Sequence, residues 1–388
     1  MCQVGLGFAY VLAAVASPMI AELGLTRAEY GQGNGPQLAL QALAAPLAGW
    51  LCVRAGARPV LLVSIAIQVA AICGMARVAG FGEYLFWMGV LGLGLAGTGD
   101  VTVGAVAARW VERGRGLALG IVYSGANLGG AAFAWIASTL EGHFDWRAML
   151  WLAAGLGALG MFPFALFAVR DPRLGEVSGE APSPSPAARP ASPDVPLGAA
   201  LRTRSFWLIA AALFAMFFCF VGLQRHFVLM LERAGLPGPQ AVALYSAAIA
   251  IGLFTKALSG ALADRMSPVR AAAATQLVTG LAALSAFAVE GNAGLAWLFV
   301  LCFGLGTAAR DVVFPLVLTH AFGVRSLAPI YGVQMLLLLP AGVLGPTFAG
   351  AVFDRSGSYG SALLVFAALM LLSALGLLFA RPEGRSAA

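Results

Sequence analysis

The chain has 388 residues, of which 60% are hydrophobic and 10% charged, with a mean hydropathy of +0.88 and a formal net charge of +6. A soluble domain needs about a quarter of its residues charged, so this composition excludes a chain that is surrounded by water. The basic charge comes from arginines placed between apolar stretches, apart from the single lysine, Lys256. That pattern is typical of membrane topology, and we expect no nucleic-acid partner.

Apolar stretches of about twenty residues predict the membrane spans. In chain order the twelve predicted spans cover residues 3–21, 29–51, 59–80, 84–108, 116–138, 147–169, 206–231, 239–262, 269–289, 293–319, 327–352 and 360–380. Backbone polar groups cannot stay unpaired in hydrocarbon, and the alternation of a β-barrel is absent, so each span is predicted to be a helix. The expected fold is all-α, an integral membrane protein with twelve transmembrane helices.

Arginine placement predicts the orientation of the chain. With the amino terminus inside, fifteen arginines fall on the inner side and five on the outer side, and positive loops stay in the cytoplasm. We therefore expect both termini to be cytoplasmic, in a multi-pass monomer of a bacterial cytoplasmic (inner) membrane, surrounded by lipid.

A proline-rich segment and an internal repeat predict the domain organisation. Residues 171–205 contain many prolines and few apolar residues, which favours a disordered cytoplasmic linker. Gly49–Arg54 follows the second span and Gly260–Arg265 follows the eighth at an offset of 211 residues, which also places Asp100 on Asp311. The predicted domains are two pseudo-symmetric six-helix bundles, 1–170 and 206–381, the linker 171–205, and a cytoplasmic tail 382–388.

The loops of this repeat resemble the G-x-L-x-D-R-x-G-R/K motif of the major facilitator superfamily. The first copy reads Gly49, Leu51, Arg54, Gly56 and Arg58, with Val53 in place of the acid; the second keeps Gly260, Leu262, Asp264 and Arg265, with Ser267 where glycine is usual. The resemblance implies transport by alternating access between the bundles. It also implies that Arg54, Arg58, Asp264 and Arg265 belong to the inner gate, where the first half lacks the acid.

Four longer stretches resemble the monocarboxylate-porter and oxalate/formate-type members of that superfamily. They are Gly92–Gly129, His226–Pro237, Lys256–Gly260 and Gly345–Tyr359. This resemblance implies a small organic anion, a monocarboxylate, as substrate, with a coupled proton.

Ionisable residues inside spans are costly and therefore candidates for function. An arginine binds the substrate carboxylate at the position of Lys256 in the carboxylate-transporting relatives. Lysine keeps the charge but not the two-pronged geometry; the alternative is a lysine that reaches the cytoplasmic interface. Arg310 is a second candidate for the anion. Asp100, Asp311 and His226 are candidates for proton coupling; structural ion pairs, interhelix hydrogen bonds or, for His226, the headgroup region are the alternatives.

Uncharged polar residues complete the candidate set. Tyr123 and Asn127 are four residues apart and share a helix face. With Tyr331 and Gln334 they are candidates to bind substrate, or else they hold helices together. Pro340 and Pro346 lie in the eleventh span and predict a gating hinge, with a packing kink as the alternative.

Three functions remain open from the sequence. The first is a proton-coupled carrier of small organic anions. The second is an efflux pump of the same fold for lipophilic or cationic compounds, with aromatic walls such as Phe214, Phe217 and Phe218. The third is a transport-inactive sensor or partner subunit. No enzyme motif, P-loop or metal-ligand spacing is present, so we expect neither an enzyme nor a cofactor.

Overall fold

The computed structural model describes residues 8–99, 115–140, 144–169, 195–265, 267–323 and 327–380. These residues are mostly α-helical and contain no β-strand, which confirms the predicted all-α class. Asp100 lies outside the described residues. The backbones of Tyr123, Asp264, Arg265, Arg310 and Asp311 lie in described helices, but their side chains are outside the described part of the structure.

Eight α-helices are described before the linker. They are α1 (Phe8–Ala14), α2 (Ala16–Leu23), α3 (Arg27–Gln32), α4 (Asn34–Arg54), α5 (Ala57–Met75), α6 (Phe81–Thr98), α7 (Arg115–Leu140) and α8 (Trp146–Pro163), which continues as a π-helix, Phe164–Ala168. The first and second predicted spans are each interrupted. The first breaks at Val15, and the second has a break at Gly33, where the Tyr84 ring packs against the backbone.

Seven α-helices are described after the linker. They are α9 (Leu197–Ala200), α10 (Arg204–Arg233), α11 (Gly238–Arg265), α12 (Pro268–Val289), α13 (Ala296–Phe322), α14 (Leu327–Ser356) and α15 (Gly360–Leu377), with a 3₁₀ turn, Ala293–Leu295, before α13. Each of the twelve predicted spans overlaps a described helix. By length and composition, seven described helical segments are long and apolar enough to cross a membrane.

The structure divides into two compact units. The first combines the described residues of Met1–Ser183 with His226–Ala250, and the second combines those of Pro184–Arg225 with Ile251–Ala388. The sequence repeat assigns His226–Ala250 to the second half, yet this segment packs with helices of the first. The domain boundaries drawn from the repeat stay a prediction.

Hydrogen bonds at one end of the first unit join three predicted spans. Glu22, at the end of α2, accepts from Trp146 Nε1 (2.6 Å) and from Arg147 Nη2 (2.8 Å) at the start of α8. The Arg147 guanidinium also donates to the carbonyls of Ala76 and Val78, both at 2.9 Å, just after α5. At the opposite end, Arg58 Nε donates to the Val169 carbonyl at 2.7 Å. These bonds fit spans that alternate in direction.

We expect the Glu22 contacts to make stability pH-dependent. The hydrogen bonds from Trp146 and Arg147 lower the pKa of Glu22 below its usual value. Their contribution is therefore present above the ordinary carboxyl pKa and is lost as the pH falls through the lowered one. Because the pair is half-exposed, the effect is within about 1 kcal/mol. Thermal midpoints measured in detergent between pH 7 and pH 3 should fall less steeply with pH for Glu22→Gln than for the wild type. Identical slopes of midpoint against pH would contradict this role.

The two copies of the loop motif start the next helix in different ways. Gly56 precedes α5 with φ of 87°, a left-handed value that favours glycine. Ser267 is its repeat equivalent and precedes α12 with φ of −65°, and its side chain accepts from the Arg270 amide at 3.3 Å. The serine that departs from the family motif is thus an N-cap.

This difference predicts opposite tolerances at the two equivalent positions. Gly56→Ser should lower the thermal midpoint, because a residue with a Cβ held at the positive φ and extended ψ of Gly56 costs about 1–3 kcal/mol. Ser267→Gly should change it little, since glycine replaces a capping serine at a cost of only a few tenths of a kcal/mol. Melting both variants beside the wild type is the test. Equal losses for the two variants would overturn the explanation.

Candidate functional site

Lys256 lies on α11, where it is half-buried. Eighteen residues separate it from Gly238, so it lies about 27 Å along the helix from the predicted outer end. The helix continues for nine residues to Arg265, about 14 Å further. This depth suits a cation that meets a substrate near the inner part of a span, and it also allows a side chain that reaches the interface.

Arg310 and Asp311 occupy the centre of α13 by position along Ala296–Phe322. Their roles, and that of Asp100, stay predictions.

His226 is fully buried in the first unit. Its ring meets that of Tyr30 edge-on, with centroids 6.2 Å apart, and Tyr30 stacks on Tyr84 at the same distance. The Tyr30 hydroxyl donates to the Leu12 carbonyl at 2.8 Å, and the Tyr84 hydroxyl donates to the Tyr30 carbonyl at 2.7 Å. In this conformation the buried histidine therefore lies against Tyr30, which is held by its own hydrogen bond and by Tyr84, and it does not reach the protein surface.

Sequence reasoning did not single out the two tyrosines. Thr26 and Glu29 form a capping box that starts α3 and so fixes where Tyr30 points. This Thr-x-x-Glu spacing, four residues before Tyr30, is a signal in the sequence that could have located the cluster's backbone. Tyr30 and His226 are about two hundred residues apart in the chain, so no local sequence pattern signals their contact.

Asn127 is buried on α7, and its Nδ2 donates to the Ile249 carbonyl of α11 at 3.4 Å. One turn further along, Ser246 Oγ donates to the Ala131 carbonyl at 2.7 Å. Both bonds lie within the first unit. In this conformation Asn127 therefore holds two helices together; substrate binding by Asn127 and Tyr123 stays a prediction.

Gln334 is fully buried on α14 and donates from Nε2 to the Phe206 carbonyl at 3.5 Å, the outer limit for a hydrogen bond. Within the described structure its Oε1 accepts no hydrogen bond. Tyr331 is half-buried on the same helix. An amide oxygen left free inside the protein is costly, which makes Gln334 the polar candidate with the clearest unused capacity in the second unit.

Pro340 and Pro346 lie inside α14, which runs without interruption from Leu327 to Ser356. Each proline removes one backbone donor from the helix.

Arg54, in the first copy of the loop motif, lies over the Trp50 ring at 5.0 Å from its centroid, and Arg58 donates to the Val169 carbonyl. Both arginines make contacts within the first unit, and their part in a gate stays a prediction.

Comparison with known proteins assigns the class. Residues 1–338 match the Major Facilitator Superfamily. The chain therefore belongs to this family of membrane transporters. The fold is shared with solved structures of a bacterial homologue of the human lysosomal transporter Spinster in an inward-facing and occupied conformation, at 17% identity and a TM-score of 0.73, covering 99% of this chain and 94% of that one.

Individual relatives fall into two groups. Human Monocarboxylate transporter 11 is 29% identical over 353 residues, which is 86% of this chain and 71% of that protein. Bovine Monocarboxylate transporter 13 is 25% identical over 353 residues, which is 89% of this chain and 78% of the bovine protein. Multidrug transporter AQR1 of Candida glabrata is 34% identical over 130 residues, 33% of this chain, and the match spans only 22% of that protein.

Proposed function

We propose that this protein is a secondary active transporter that moves a small organic anion, a monocarboxylate, by alternating access. The observation that carries the proposal is the likeness to monocarboxylate transporters along 86% of the chain. The half-buried Lys256, the chain's one lysine, supplies the cation that a carboxylate needs. Arg310 is the proposed second cation, with Gln334 and Tyr331 on α14 as neutral contacts.

Proton coupling is the second part of the proposal. The buried His226 ring contacts Tyr30, which in turn stacks on Tyr84, and an imidazole changes charge near neutral pH. Protonation would place a positive charge at a site with no solvent exposure, and the cost of burying that charge favours separation of the histidine from Tyr30. We propose that this contact is part of the gate on the predicted outer side, and that Asp100 or Asp311 shares the proton.

Uptake into proteoliposomes under an imposed pH gradient tests the proposal. Radiolabelled lactate, pyruvate, formate and oxalate would be supplied outside, with the interior alkaline. We expect saturable uptake of at least one monocarboxylate that stops when a protonophore collapses the gradient. Uptake that ignores the gradient would remove proton coupling but keep the carrier. Absence of any carboxylate uptake by folded protein would reject the proposed substrate class.

A second candidate function is export of lipophilic or cationic compounds. It is favoured by the local likeness to Multidrug transporter AQR1 and by the aromatic face of α10, where Phe214 stacks with Phe218. Transport of tetraphenylphosphonium by the same vesicles, without carboxylate uptake, would favour this candidate.

A further inference from the structure

An open apolar groove lies on the second unit among α10, α14 and α15. It has a volume of about 580 Å³. Its lining includes Trp207, Ala211, Phe214, Phe218, Leu336 and Pro340. No lining side chain is charged, so the groove is unsuited to a carboxylate and differs in chemistry from the site around Lys256.

The length of the groove matches one leaflet of a bilayer. Trp207 and Phe218 lie at its two ends on α10, eleven residues apart, which is about 16 Å along the helix. Half of the hydrocarbon core is about 15 Å thick. A single acyl chain of a membrane lipid therefore fits the groove from its interface end to the bilayer centre.

The interface end of the groove carries positive charge. Arg202 and Arg204 are exposed at the start of α10, within five residues of Trp207. The Trp207 indole donates to the Leu201 carbonyl at 3.0 Å, which fixes the ring against the backbone next to Arg202. Arginine topology places this end in the cytoplasmic leaflet, where anionic lipids concentrate and attract basic side chains.

We propose that the groove binds one anionic phospholipid, with an acyl chain along Trp207, Phe214 and Phe218 and the headgroup phosphate between Arg202 and Arg204. The chain would lie against Pro340, which lacks the amide that would otherwise bond the Leu336 carbonyl, and Leu336 lines the same groove. Occupancy would therefore restrain α14 at one of the two prolines where its backbone lacks a hydrogen bond. The lipid acts as a regulator of the helix that carries Gln334 and Tyr331.

Native mass spectrometry of protein titrated with phosphatidylglycerol or phosphatidylcholine of equal chain length tests the site. Ala211→Trp fills the groove from its exposed side, and we expect loss of one tightly held phosphatidylglycerol. The double variant Arg202→Gln, Arg204→Gln should weaken phosphatidylglycerol binding on the order of tenfold and leave phosphatidylcholine unchanged. Because both arginines are exposed, this variant keeps the test valid if the tryptophan variant does not fold.

Matched controls place a tryptophan at the exposed Leu281 of α12 and a glutamine at the exposed Arg270. Both should retain the lipid. Hydrogen exchange across Leu336–Pro340 should slow on adding phosphatidylglycerol in the wild type and in both controls, and not in Ala211→Trp. Equal lipid retention by Ala211→Trp and Leu281→Trp would overturn the proposal. The proposal would also fail if Ala211→Trp lost binding of tetraphenylphosphonium but kept its phosphatidylglycerol. That result would assign the groove to a lipophilic substrate.

Discussion

Replacing Lys256 with alanine is expected to raise the apparent KM for a transported carboxylate about tenfold to a hundredfold. A hydrogen bond to a charged group contributes about 1.5–3 kcal/mol, and each 1.4 kcal/mol is a factor of ten in affinity. Lys256→Arg should stay within about tenfold of the wild type, because it keeps the charge and offers a two-pronged partner for the carboxylate. Initial rates of uptake in proteoliposomes measure both.

The control for Lys256 is Arg270→Ala. Arg270 is exposed near the start of α12 in the same unit, so its removal costs one positive charge without touching the proposed site. We expect wild-type kinetics. An unchanged KM in Lys256→Ala for every carboxylate would show that the lysine only reaches the interface, and the substrate assignment would then fail.

Replacing Gly92 with alanine is expected to lower the thermal midpoint by about 3–10 °C. A Cβ at Gly92 of α6 would collide with the carbonyl oxygen of Gln37 on α4, and a backbone atom cannot rotate aside. Overpacking of this kind costs about 1–3 kcal/mol, which corresponds to a shift of that size in a domain of this length. Close approach through small residues is how membrane helices pack.

Gly82→Ala is the matched control on the same helix. A Cβ there meets no atom within 4 Å, so the change should be neutral or slightly stabilising, since alanine has the higher helix propensity. Melting curves of both variants in one detergent decide the matter. If Gly92→Ala and Gly82→Ala have the same thermal midpoint, α4 and α6 are not as close as described.

Much of the fold was predictable because the length of an apolar stretch can be read from the local sequence. Every predicted span meets a helix, and α12 begins at Pro268, one residue before the predicted span at 269. The break at Val15 was missed because the apolar pattern continues through it. The break at Gly33 lies in a glycine- and amide-rich run, residues 31–37, so a local signal was present there and the span length overrode it. At Ser267 the sequence showed the departure from the motif but not its reason. The φ value and the N-cap contact in the structure explain it.

The site was predictable by residue type and not by contact. Asn127 was identified as an uncharged polar residue on a shared helix face with Tyr123, but its partner is the Ile249 carbonyl, far along the chain. His226 was identified by its charge chemistry, while Tyr30, the ring it meets, was not. Pairs of this kind depend on how distant helices pack, which neither hydropathy nor spacing encodes.

Exchange of a radiolabelled monocarboxylate across proteoliposomes preloaded with the same unlabelled acid tests the central claim most directly, because counterflow needs no pH gradient. We predict transient accumulation of label that protein-free vesicles lack and that Lys256→Ala reduces. Absence of counterflow for all monocarboxylates, with counterflow of a lipophilic cation in the same vesicles, would contradict the claim.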